Sequence, residues 1–394
     1  MTGHTNASMN AAARAKNDEF YTLLTDIEKE MRYYRKHFKG KTVLCNCDDP
    51  FESNFFKYFV LNFKRLGLKK LIATCYATSP IVGQQLSLFD VAGGEEEQRN
   101  KPYKAVVTKV YDVTGDGGVD MFDVAELFKN HENELTELQG DGDFRSEECL
   151  ALLDEADIVV TNPPFSLFRE YMSMLMEHGK HFIIIGNVNA ITYKEVFPLI
   201  MENRLWFGAS IHSGDRKFYV PDDYPLNAAG CGVDEDGHRF IRVKGVRWYT
   251  NLDYRQRHED LILVKRYSSG AYQRYDNYDA INIDKTSDIP CDYSGMMGVP
   301  ITFLDKYSPD QFEILGITKT WFGGASKTYD VQVQIDKNGK RSNVTKLNDG
   351  PVLEVSEPPK GKTYYVVDEK YYVQAYARIL IRNKYPEQPK EVQQ

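Results

Sequence analysis

The stretch DIVVTNPPFSLFREYMSMLME, residues 157–177, decides the fold and contains the sharpest candidate for a site. An apolar run over residues 158–161 predicts a buried strand, and the sequence NPPF follows it directly. Apolar residues then recur at helical spacing from Phe168 to Met176, which predicts an amphipathic helix. Strand, loop and helix in this order are the repeating unit of a parallel sheet.

The same unit recurs on both sides of this stretch. Upstream, KTVLCNC at residues 41–47 and KKLIATCY at residues 69–76 predict two buried strands. Between them lies an apolar stripe that predicts a helix, which Ser53 can cap and Gly67 can end. Downstream, HFIIIGN at residues 181–187 predicts a further strand. Residues 18–210 therefore predict an α/β fold with a doubly wound sheet.

The remainder of the chain has a different character. Helical periodicity nearly vanishes after residue 211, and short strand-like stretches alternate with turn signals. Near the C-terminus, Asn338-Gly339 between two alternating runs predicts a hairpin turn. We divide the chain into a disordered N-terminal segment (1–17), a catalytic α/β domain (18–210), a β-containing region (211–315) and a β-rich C-terminal extension (316–394).

The composition is typical of a globular protein. Of 394 residues, 42% are hydrophobic and 27% are charged, which permits a sizeable core. No apolar run approaches the roughly 20 residues that cross a bilayer, and the N-terminus lacks the apolar centre of a secretory signal. We expect a cytoplasmic protein without membrane contact, whose six cysteines are thiols. Cys45 and Cys47 alternate along a predicted strand, but no cluster of His or Cys completes a metal site, so we expect no metal.

Charge is distributed unevenly. The net charge is −8, yet the segment from Arg239 to Arg274 contains nine Lys and Arg residues and only three Asp and Glu residues. A basic segment in an acidic protein is a candidate face for phosphate, although the solvated surface of ordinary strands is the alternative. Basic, amide and aromatic residue types suited to phosphates and base edges give six candidate nucleic-acid contacts: Asn189, Tyr193, Lys194, Arg255, Arg257 and His258.

The residues after the strand at 158–161 suit methyl transfer to an amine attached to a ring. The lone pair of such a nitrogen is conjugated into the ring, so the nitrogen is a poor nucleophile. The Asn162 side-chain oxygen and the Pro163 carbonyl can each accept one amine hydrogen, which aims the lone pair at a methyl donor. Pro164 stiffens the turn, and Phe165 can stack on a base, worth on the order of 1–3 kcal/mol. We take these four residues as catalytic; a plain turn with two prolines is the alternative.

Three further motifs suit a cofactor. Asp48, Asp49 and Pro50 follow the first strand, where a carboxylate can hold the ammonium or ribose hydroxyls of S-adenosyl-L-methionine. The glycine-rich turn usual in methyltransferases is missing there, and a plain acidic turn is the alternative. The motifs DEFYT (18–22) and GDFR (142–145) each place an acid or hydroxyl beside an aromatic ring, which suits the polar and purine ends of a cofactor.

Taken together, the motifs resemble those of the EcoRI-type adenine-specific DNA methyltransferases. The resemblance runs from about residue 18 to 307 through DEFYT, CNCDDP with SNFFKYF, GLKKLIA, GDGDFRS, DIVVTNPPFSLFREY, IIGNVN with ITYKEVF, and YDNYDAIN with MGVPITFL. It implies a Rossmann-like catalytic domain that binds S-adenosyl-L-methionine, followed by a target-recognition region at 211–315. It further implies transfer of a methyl group to the N6 amine of a flipped adenine in duplex DNA.

The resemblance also implies roles for individual residues. Tyr21 and Thr22 would contact the cofactor from the N-terminal motif, the residues Asp48 to Pro50 would lie at its methionine end, and Asp143 and Phe144 near its adenine. Double-stranded DNA would be the substrate, and a separate restriction endonuclease is a further expected partner. The segments at about 80–123 and 319–372 depart from the family pattern, and the second reads as an added β-rich insertion.

Rival functions stay open at this point. An NPPF-type methyltransferase can act on RNA adenine or on protein glutamine, and a non-catalytic DNA-binding module is the alternative from another class. Methylation of a cytosine ring carbon would need a nucleophilic cysteine. Pro290-Cys291 is the only Pro-Cys pair and lies far downstream of NPPF in an apparent loop, so we interpret it as structural.

Overall fold

The computed structural model describes residues 20–47, 53–75, 102–112, 127–128, 132–220, 224–226 and 230–388. The Asp48-Asp49-Pro50 motif and the N-terminal segment 1–17 lie outside these residues. The chain divides into two compact units. Unit 1 holds the described residues up to 190 together with 206–254, and unit 2 holds residues 191–205 and those from 255 onward. These limits differ from the boundaries we drew at 210 and 315, because residues 206–254 return to unit 1.

In its described part, unit 1 has helices α1 (Leu24–Met31), α2 (Arg35–Phe38), α3 (Asn54–Leu61), α4 (Phe63–Leu66), α5 (Glu147–Glu155) and α6 (Phe168–Glu177). Its strands are β1 (Tyr21–Thr22), β2 (Thr42–Cys45), β3 (Lys70–Thr74), β4 (Tyr103–Val107), β5 (Glu134–Glu137), β6 (Ile158–Thr161), β7 (His181–Asn187), β8 (Trp206–Phe207), β9 (Asp215–Tyr219), β10 (Gly232–Val233), β11 (Arg239–Lys244) and β12 (Val246–Thr250).

In unit 2, one α-helix, α7 (Phe197–Met201), is found among the described residues. The strands are β13 (Ile281–Asn282), β14 (Met297–Pro300), β15 (Phe312–Ile317), β16 (Gln332–Ile335), β17 (Arg341–Val344), β18 (Val352–Val355), β19 (Tyr364–Val367), β20 (Lys370–Gln374) and β21 (Arg378–Asn383). Nowhere in the described ranges does a helix combine the length and apolarity that a membrane span requires.

The central sheet of unit 1 joins eight of the described strands in the order β5-β4-β3-β2-β6-β7-β12-β8. The inner strands β3, β2, β6 and β7 are parallel, whereas the outer strands pair antiparallel. The chain moves from β2 to β3 on one side and later returns to β6 on the other side. The carboxyl ends of β2 and β6 therefore meet where the strand order reverses, which is where open α/β sheets bind ligands.

Local sequence explains the inner elements. Every residue of β2 and of β6 is buried, as expected for parallel strands whose two faces are both covered. The predicted caps of the following helix pair are confirmed: the Ser53 hydroxyl accepts a hydrogen bond from the Phe55 amide at 3.2 Å, and Gly67 ends α4 with a φ of +66°. The predicted α/β class is thus confirmed as a mixed fold with several sheets.

A second, small sheet of unit 1 has the order β1-β9-β11-β10 and is antiparallel. Tyr21 lies opposite Tyr219 and Thr22 lies opposite Phe218. Phe218 is buried, and its ring centroid lies 5.8 Å from that of Phe20. The small sheet therefore fixes the backbone of Tyr21 and Thr22, which belong to the DEFYT motif.

A buried carboxylate joins α1 to the residues after β8. Glu30 is fully buried, and Tyr34 donates a hydrogen bond to it at 2.8 Å. The backbone amide of Ala209 donates to Glu30 Oε1 and that of Ser210 to Glu30 Oε2, both at 2.8 Å. Burial raises the pKa of the Glu30 carboxyl above its ordinary value, although these hydrogen bonds act in the opposite direction.

Unit 2 contains two sheets among its described residues. The first has the order β13-β14-β21-β15, so that the last described strand lies between two earlier ones. The second, with the order β17-β16-β19-β20-β18, has a small core of its own that includes Tyr329, Leu347 and Val352. The predicted hairpin is confirmed: β16 pairs antiparallel with β17, and Gly339 in the turn has a φ of +82°.

Candidate active site

Asn162 is the first residue after β6 and is 5% exposed. Its side-chain nitrogen donates a hydrogen bond to the Phe20 carbonyl at 2.7 Å, which fixes the orientation of the amide. Its side-chain oxygen is buried and accepts no hydrogen bond from any described residue. Leaving a buried acceptor unsatisfied costs about 1–3 kcal/mol. Such an oxygen at the end of a central strand is therefore suited to receive a donor from a ligand.

The two prolines shape the loop that follows Asn162. The carbonyl of Pro164 accepts from the Leu167 amide at 3.0 Å and begins a 3₁₀ turn over Phe165–Leu167. The Pro163 carbonyl accepts no backbone hydrogen bond from the described chain. The Phe165 ring is half-buried and meets Phe20 edge-on, with centroids 5.8 Å apart. The loop thus brings two unused acceptor oxygens and one aromatic ring together.

The N-terminal motif lies against this loop. Phe20, whose carbonyl holds Asn162, precedes β1, where Tyr21 is half-buried and Thr22 is 4% exposed. The Thr22 hydroxyl is buried and has no hydrogen-bond partner among the described residues, while its carbonyl accepts from the Asn54 side chain at 2.7 Å. A second unsatisfied polar atom therefore lies in the segment that anchors Asn162.

Two residues that the sequence analysis missed connect the ends of β2 and β6. The Asn46 carbonyl accepts a hydrogen bond from the Thr161 hydroxyl, and the Asn46 side-chain oxygen accepts one from Tyr171 of α6 at 2.5 Å. Burial raises the pKa of the Tyr171 hydroxyl well above its ordinary value, so it stays a donor. The position of Asn46, directly after β2 and two residues before the Asp48-Asp49-Pro50 motif, was the available signal.

The GDFR motif (142–145) also lies at the carboxyl ends of the inner strands of the central sheet. Gly142 has a φ of +78°, and a Cβ atom there would overlap the Cys75 carbonyl oxygen, so only glycine lets the loop approach the end of β3 this closely. Two residues on, the Phe144 ring meets Tyr171 edge-on, with centroids 5.0 Å apart. Phe144 therefore shares a neighbour with the ends of β2 and β6.

Asp143 is already engaged by its own loop. Its two carboxylate oxygens accept hydrogen bonds from the Arg145 guanidinium at 2.9 and 2.6 Å, and Arg145 also donates to Glu170 at 2.9 Å. Burial alone would raise the pKa of the Asp143 carboxyl, but the hydrogen bonds and charge of Arg145 outweigh it and hold the pKa below its ordinary value. A purine amine would have to share this carboxylate with Arg145.

The candidate nucleic-acid contacts fall into both units. Asn189 is exposed in unit 1, and the other five lie in unit 2. Tyr193 is 37% exposed, and Lys194 is exposed with its ammonium 4.0 Å from Glu195. Arg255 is exposed on the 3₁₀ turn Arg255–His258, and the His258 ring lies 2.7 Å from Asp310.

Burial removes two members from the predicted basic face. Arg257 is 7% exposed and donates to the Asn203 side chain. Arg247 is 3% exposed and donates to the Val246 and His212 carbonyls at 2.8 and 2.7 Å. The basic segment also crosses from unit 1 to unit 2 at residue 255, and its part in unit 2 begins with the 3₁₀ turn Arg255–His258, which is not a strand. The charge count along the sequence could not distinguish these internal guanidinium groups from exposed ones.

Comparison with known proteins identifies the family. Residues 8–384 match the family model described as adenine-specific methyltransferase EcoRI. The chain belongs to this family. It is 47% identical over 318 residues to the Type II methyltransferase M.EcoRI of Escherichia coli, an alignment that covers 80% of this chain and 90% of that protein. It is 38% identical over 313 residues to the Type II methyltransferase M.MpnI of Mycoplasma pneumoniae, covering 78% and 84%.

A third relative, the Type II methyltransferase M.MgeORF184P of Mycoplasma genitalium, is 34% identical over 361 residues, covering 91% of this chain and 96% of that protein. No solved structure matches the chain. The family that the motifs predicted is therefore confirmed, and the chain is an adenine-specific methyltransferase. This class also agrees with our interpretation of Cys291 as a structural residue, since adenine amines need no cysteine nucleophile.

Proposed function

We propose that this methyltransferase transfers the methyl group of S-adenosyl-L-methionine to the N6 amine of an adenine flipped out of duplex DNA. Family membership supports the adenine specificity, and the names of the relatives support a Type II enzyme that acts on DNA. The observation that carries the proposal is the buried Asn162 oxygen, which has no hydrogen-bond donor among the described residues.

In this proposal the NPPF loop acts by alignment. The two hydrogens of the adenine amine are donated to the Asn162 oxygen and the Pro163 carbonyl, which turns the nitrogen lone pair out of conjugation with the ring. Phe165 stacks on the extruded base, and its edge-on contact with Phe20 holds the ring in position. The hydrogen bond from the Asn162 side chain to the Phe20 carbonyl keeps the Asn162 amide oriented before the base enters the site. The excess amine proton is released to solvent after transfer.

The carboxyl edge of the central sheet fits the cofactor. We propose that this sheet is the doubly wound, Rossmann-like sheet of S-adenosyl-L-methionine-dependent methyltransferases, because its strand order reverses between β2 and β6. Tyr21, Thr22, Asp143 and Phe144 would hold the cofactor, and the unsatisfied Thr22 hydroxyl fits a ligand with a carboxylate. The turn at residues 48–50 would complete the site. When bound, the cofactor supplies an electrophilic methyl group on a sulfonium.

Thr22→Val tests the cofactor site. Valine keeps the shape of threonine but removes the hydroxyl, so we expect the affinity for S-adenosyl-L-methionine to fall about tenfold, the value of one hydrogen bond to a charged group. Isothermal titration calorimetry on the purified enzyme measures the change. Thr22→Ser keeps the hydroxyl and serves as the control. Equal affinity of the valine and serine variants would remove Thr22 from the site.

Arg255→Ala tests the DNA-facing role of the exposed turn in unit 2. A guanidinium that contacts phosphate releases about one counterion, so we expect the slope of log affinity against log salt to fall by about one. Fluorescence anisotropy with a labelled duplex measures this slope between low and physiological salt. Lys306→Ala removes an exposed cation elsewhere in the same unit and serves as the matched control. A slope equal to that of the wild type would exclude Arg255 from the phosphate contacts.

The substrate itself is tested by labelling. Purified enzyme with methyl-labelled cofactor is incubated with duplex DNA, single-stranded RNA or a glutamine-containing release factor, and we expect label only in DNA, on adenine N6. Label in RNA or protein would contradict the proposal and favour one of the rival NPPF-type functions. A cytoplasmic location, the absence of a metal and a partner endonuclease stay predictions.

A further inference from the structure

One end of the second sheet of unit 2 collects cations from two loops. Loop 336–340 joins β16 to β17, and loop 356–363 joins β18 to β19. Because β16 and β19 pair antiparallel with Ile335 opposite Tyr364, both loops leave the sheet at the same end. We name this region the basic sheet end and define it by five residues that the loops and the start of β17 contribute: Lys337, Lys340, Arg341, Lys360 and Lys362.

The basic sheet end carries more positive than negative charge. All five side chains belong to exposed residues, and none of them forms an ion pair with the described residues. Within residues 336–341 and 356–363 the only carboxylates are Asp336 and Glu357, so five cations outnumber two carboxylates. Elsewhere in unit 2 cations are commonly paired, such as Lys265 with Asp288 at 2.7 Å. This local excess of positive charge in a chain of net charge −8 therefore marks a surface for an anionic partner.

The backbones of the two loops are restricted beneath these cations. One side-chain oxygen of Asp336 accepts hydrogen bonds from the Asn338 and Lys340 amides at 2.8 and 2.9 Å, which closes the hairpin turn. These bonds hold the pKa of the Asp336 carboxyl below its ordinary value, so the group that closes the turn is a carboxylate. In the other loop, Pro358 and Pro359 restrict the backbone before Lys360. A backbone ordered in advance loses little conformational entropy when the surface binds a partner.

The neighbouring edge strand adds neutral hydrogen-bond donors. β17 is the outermost strand of the sheet, and Arg341, Ser342 and Asn343 are all exposed along it. Lys, Arg, Ser and Asn are the side chains that most often bind the phosphates of duplex DNA, and two-stranded β-ribbons are known DNA-binding elements. Charge and residue type thus favour a regularly spaced polyanion over a single acidic peptide.

We propose that the basic sheet end binds the phosphate backbone of duplex DNA and adds affinity that does not depend on base sequence. The inference rests on the proposed function, since it assumes that DNA is the substrate. It assigns a role to the segment at 319–372, which we interpreted from the sequence as an added β-rich insertion. Its contribution is a phosphate contact, and the recognition of bases does not involve it.

The double variant Lys337→Ala/Lys340→Ala tests the proposal in the full-length enzyme. We expect the dissociation constant for a 30-base-pair duplex to rise about tenfold at low salt and the salt slope to fall by about two. The matched control Lys285→Ala/Lys306→Ala removes two exposed cations from other parts of unit 2, and we expect it to bind as the wild type does. Equal melting temperatures of all three proteins establish that the folds are intact.

Three outcomes would overturn the inference. In the first, Lys337→Ala/Lys340→Ala binds the duplex with the affinity and the salt slope of the wild type. In the second, the control variant Lys285→Ala/Lys306→Ala weakens binding to the same extent. In the third, the wild type binds transfer RNA or anionic vesicles more tightly than duplex DNA, and does so through Lys337 and Lys340. A wild-type enzyme that neither binds nor methylates duplex DNA would instead refute the proposed function. The two failures are therefore distinguishable.

Discussion

Asn162→Ala is expected to lower kcat by about 10²–10³-fold, the usual effect of removing one preorganised polar group that acts in the transition state. The substitution removes the buried oxygen that we propose accepts one hydrogen of the adenine amine. The amine then keeps its lone pair in conjugation with the ring, so the barrier to methyl transfer rises. Single-turnover methylation of a duplex with labelled cofactor measures the effect directly.

The design must separate chemistry from anchoring, because the Asn162 nitrogen also holds the Phe20 carbonyl. Cofactor affinity provides the second readout. If Asn162→Ala binds S-adenosyl-L-methionine and duplex DNA as tightly as the wild type does, the decrease in kcat is caused by the loss of the Asn162 side-chain oxygen. Asn162→Asp keeps an oxygen acceptor but replaces the donor to Phe20 with a second acceptor, so it tests the effect of losing the anchoring hydrogen bond together with an added charge. A kcat of Asn162→Ala within about threefold of the wild type would refute the proposed alignment of the amine.

Glu30→Ala is expected to lower the free energy of unfolding by about 3–5 kcal/mol. The substitution removes the acceptor of three donors: the buried Tyr34 hydroxyl and the half-buried amides of Ala209 and Ser210. Urea denaturation followed by circular dichroism measures the change. Glu28 lies on the same helix and is exposed, so Glu28→Ala is the matched control and should change stability by less than about 0.5 kcal/mol. Equal effects of the two substitutions would contradict the assigned role.

The same carboxylate makes a testable contribution to the pH dependence of stability. Burial raises the pKa of Glu30 in the folded protein above its value in the unfolded chain. The folded state then binds a proton more tightly than the unfolded chain does. The proton-linked part of the Glu30 contribution to the free energy of unfolding is therefore fully present below the pKa of Glu30 in the unfolded chain. It is lost as the pH rises through the pKa of Glu30 in the folded protein. Glu30→Gln should flatten this part of the profile, and an unchanged profile would show that other groups produce it.

The elements that carry the candidate site were predictable because their signals are local. The NPPF sequence directly after an apolar strand, the Ser53 cap and the Gly67 stop each depend on neighbours within one structural element. The parallel arrangement of the inner strands followed from their alternation with helices. These predictions needed no knowledge of distant contacts, and the structure confirms the elements on which they rest.

The remainder depends on contacts between distant residues, which a linear pattern does not record. Glu30 looks like any other charged residue of an amphipathic helix, yet its partners lie about 180 positions later, as the separations of 179 and 180 show. The link from Asn46 to Tyr171 spans 125 positions. Arg247 appeared as one more cation in a basic segment, whereas two backbone carbonyls bind it inside the protein. Burial and partner choice at such positions are properties of the tertiary structure.

The place of β21 bears on how the chain is made. This strand is the last that the structure describes, and it pairs with β14 on one side and with β15 on the other. During translation β14 and β15 emerge before the strand that lies between them, so their edges stay unpaired until residues 378–383 have been synthesised. Residues 206–254, which complete the central sheet, emerge well before that point. A chain that terminated shortly before residue 378 would therefore contain every described strand of the central sheet but would lack the strand that joins β14 to β15.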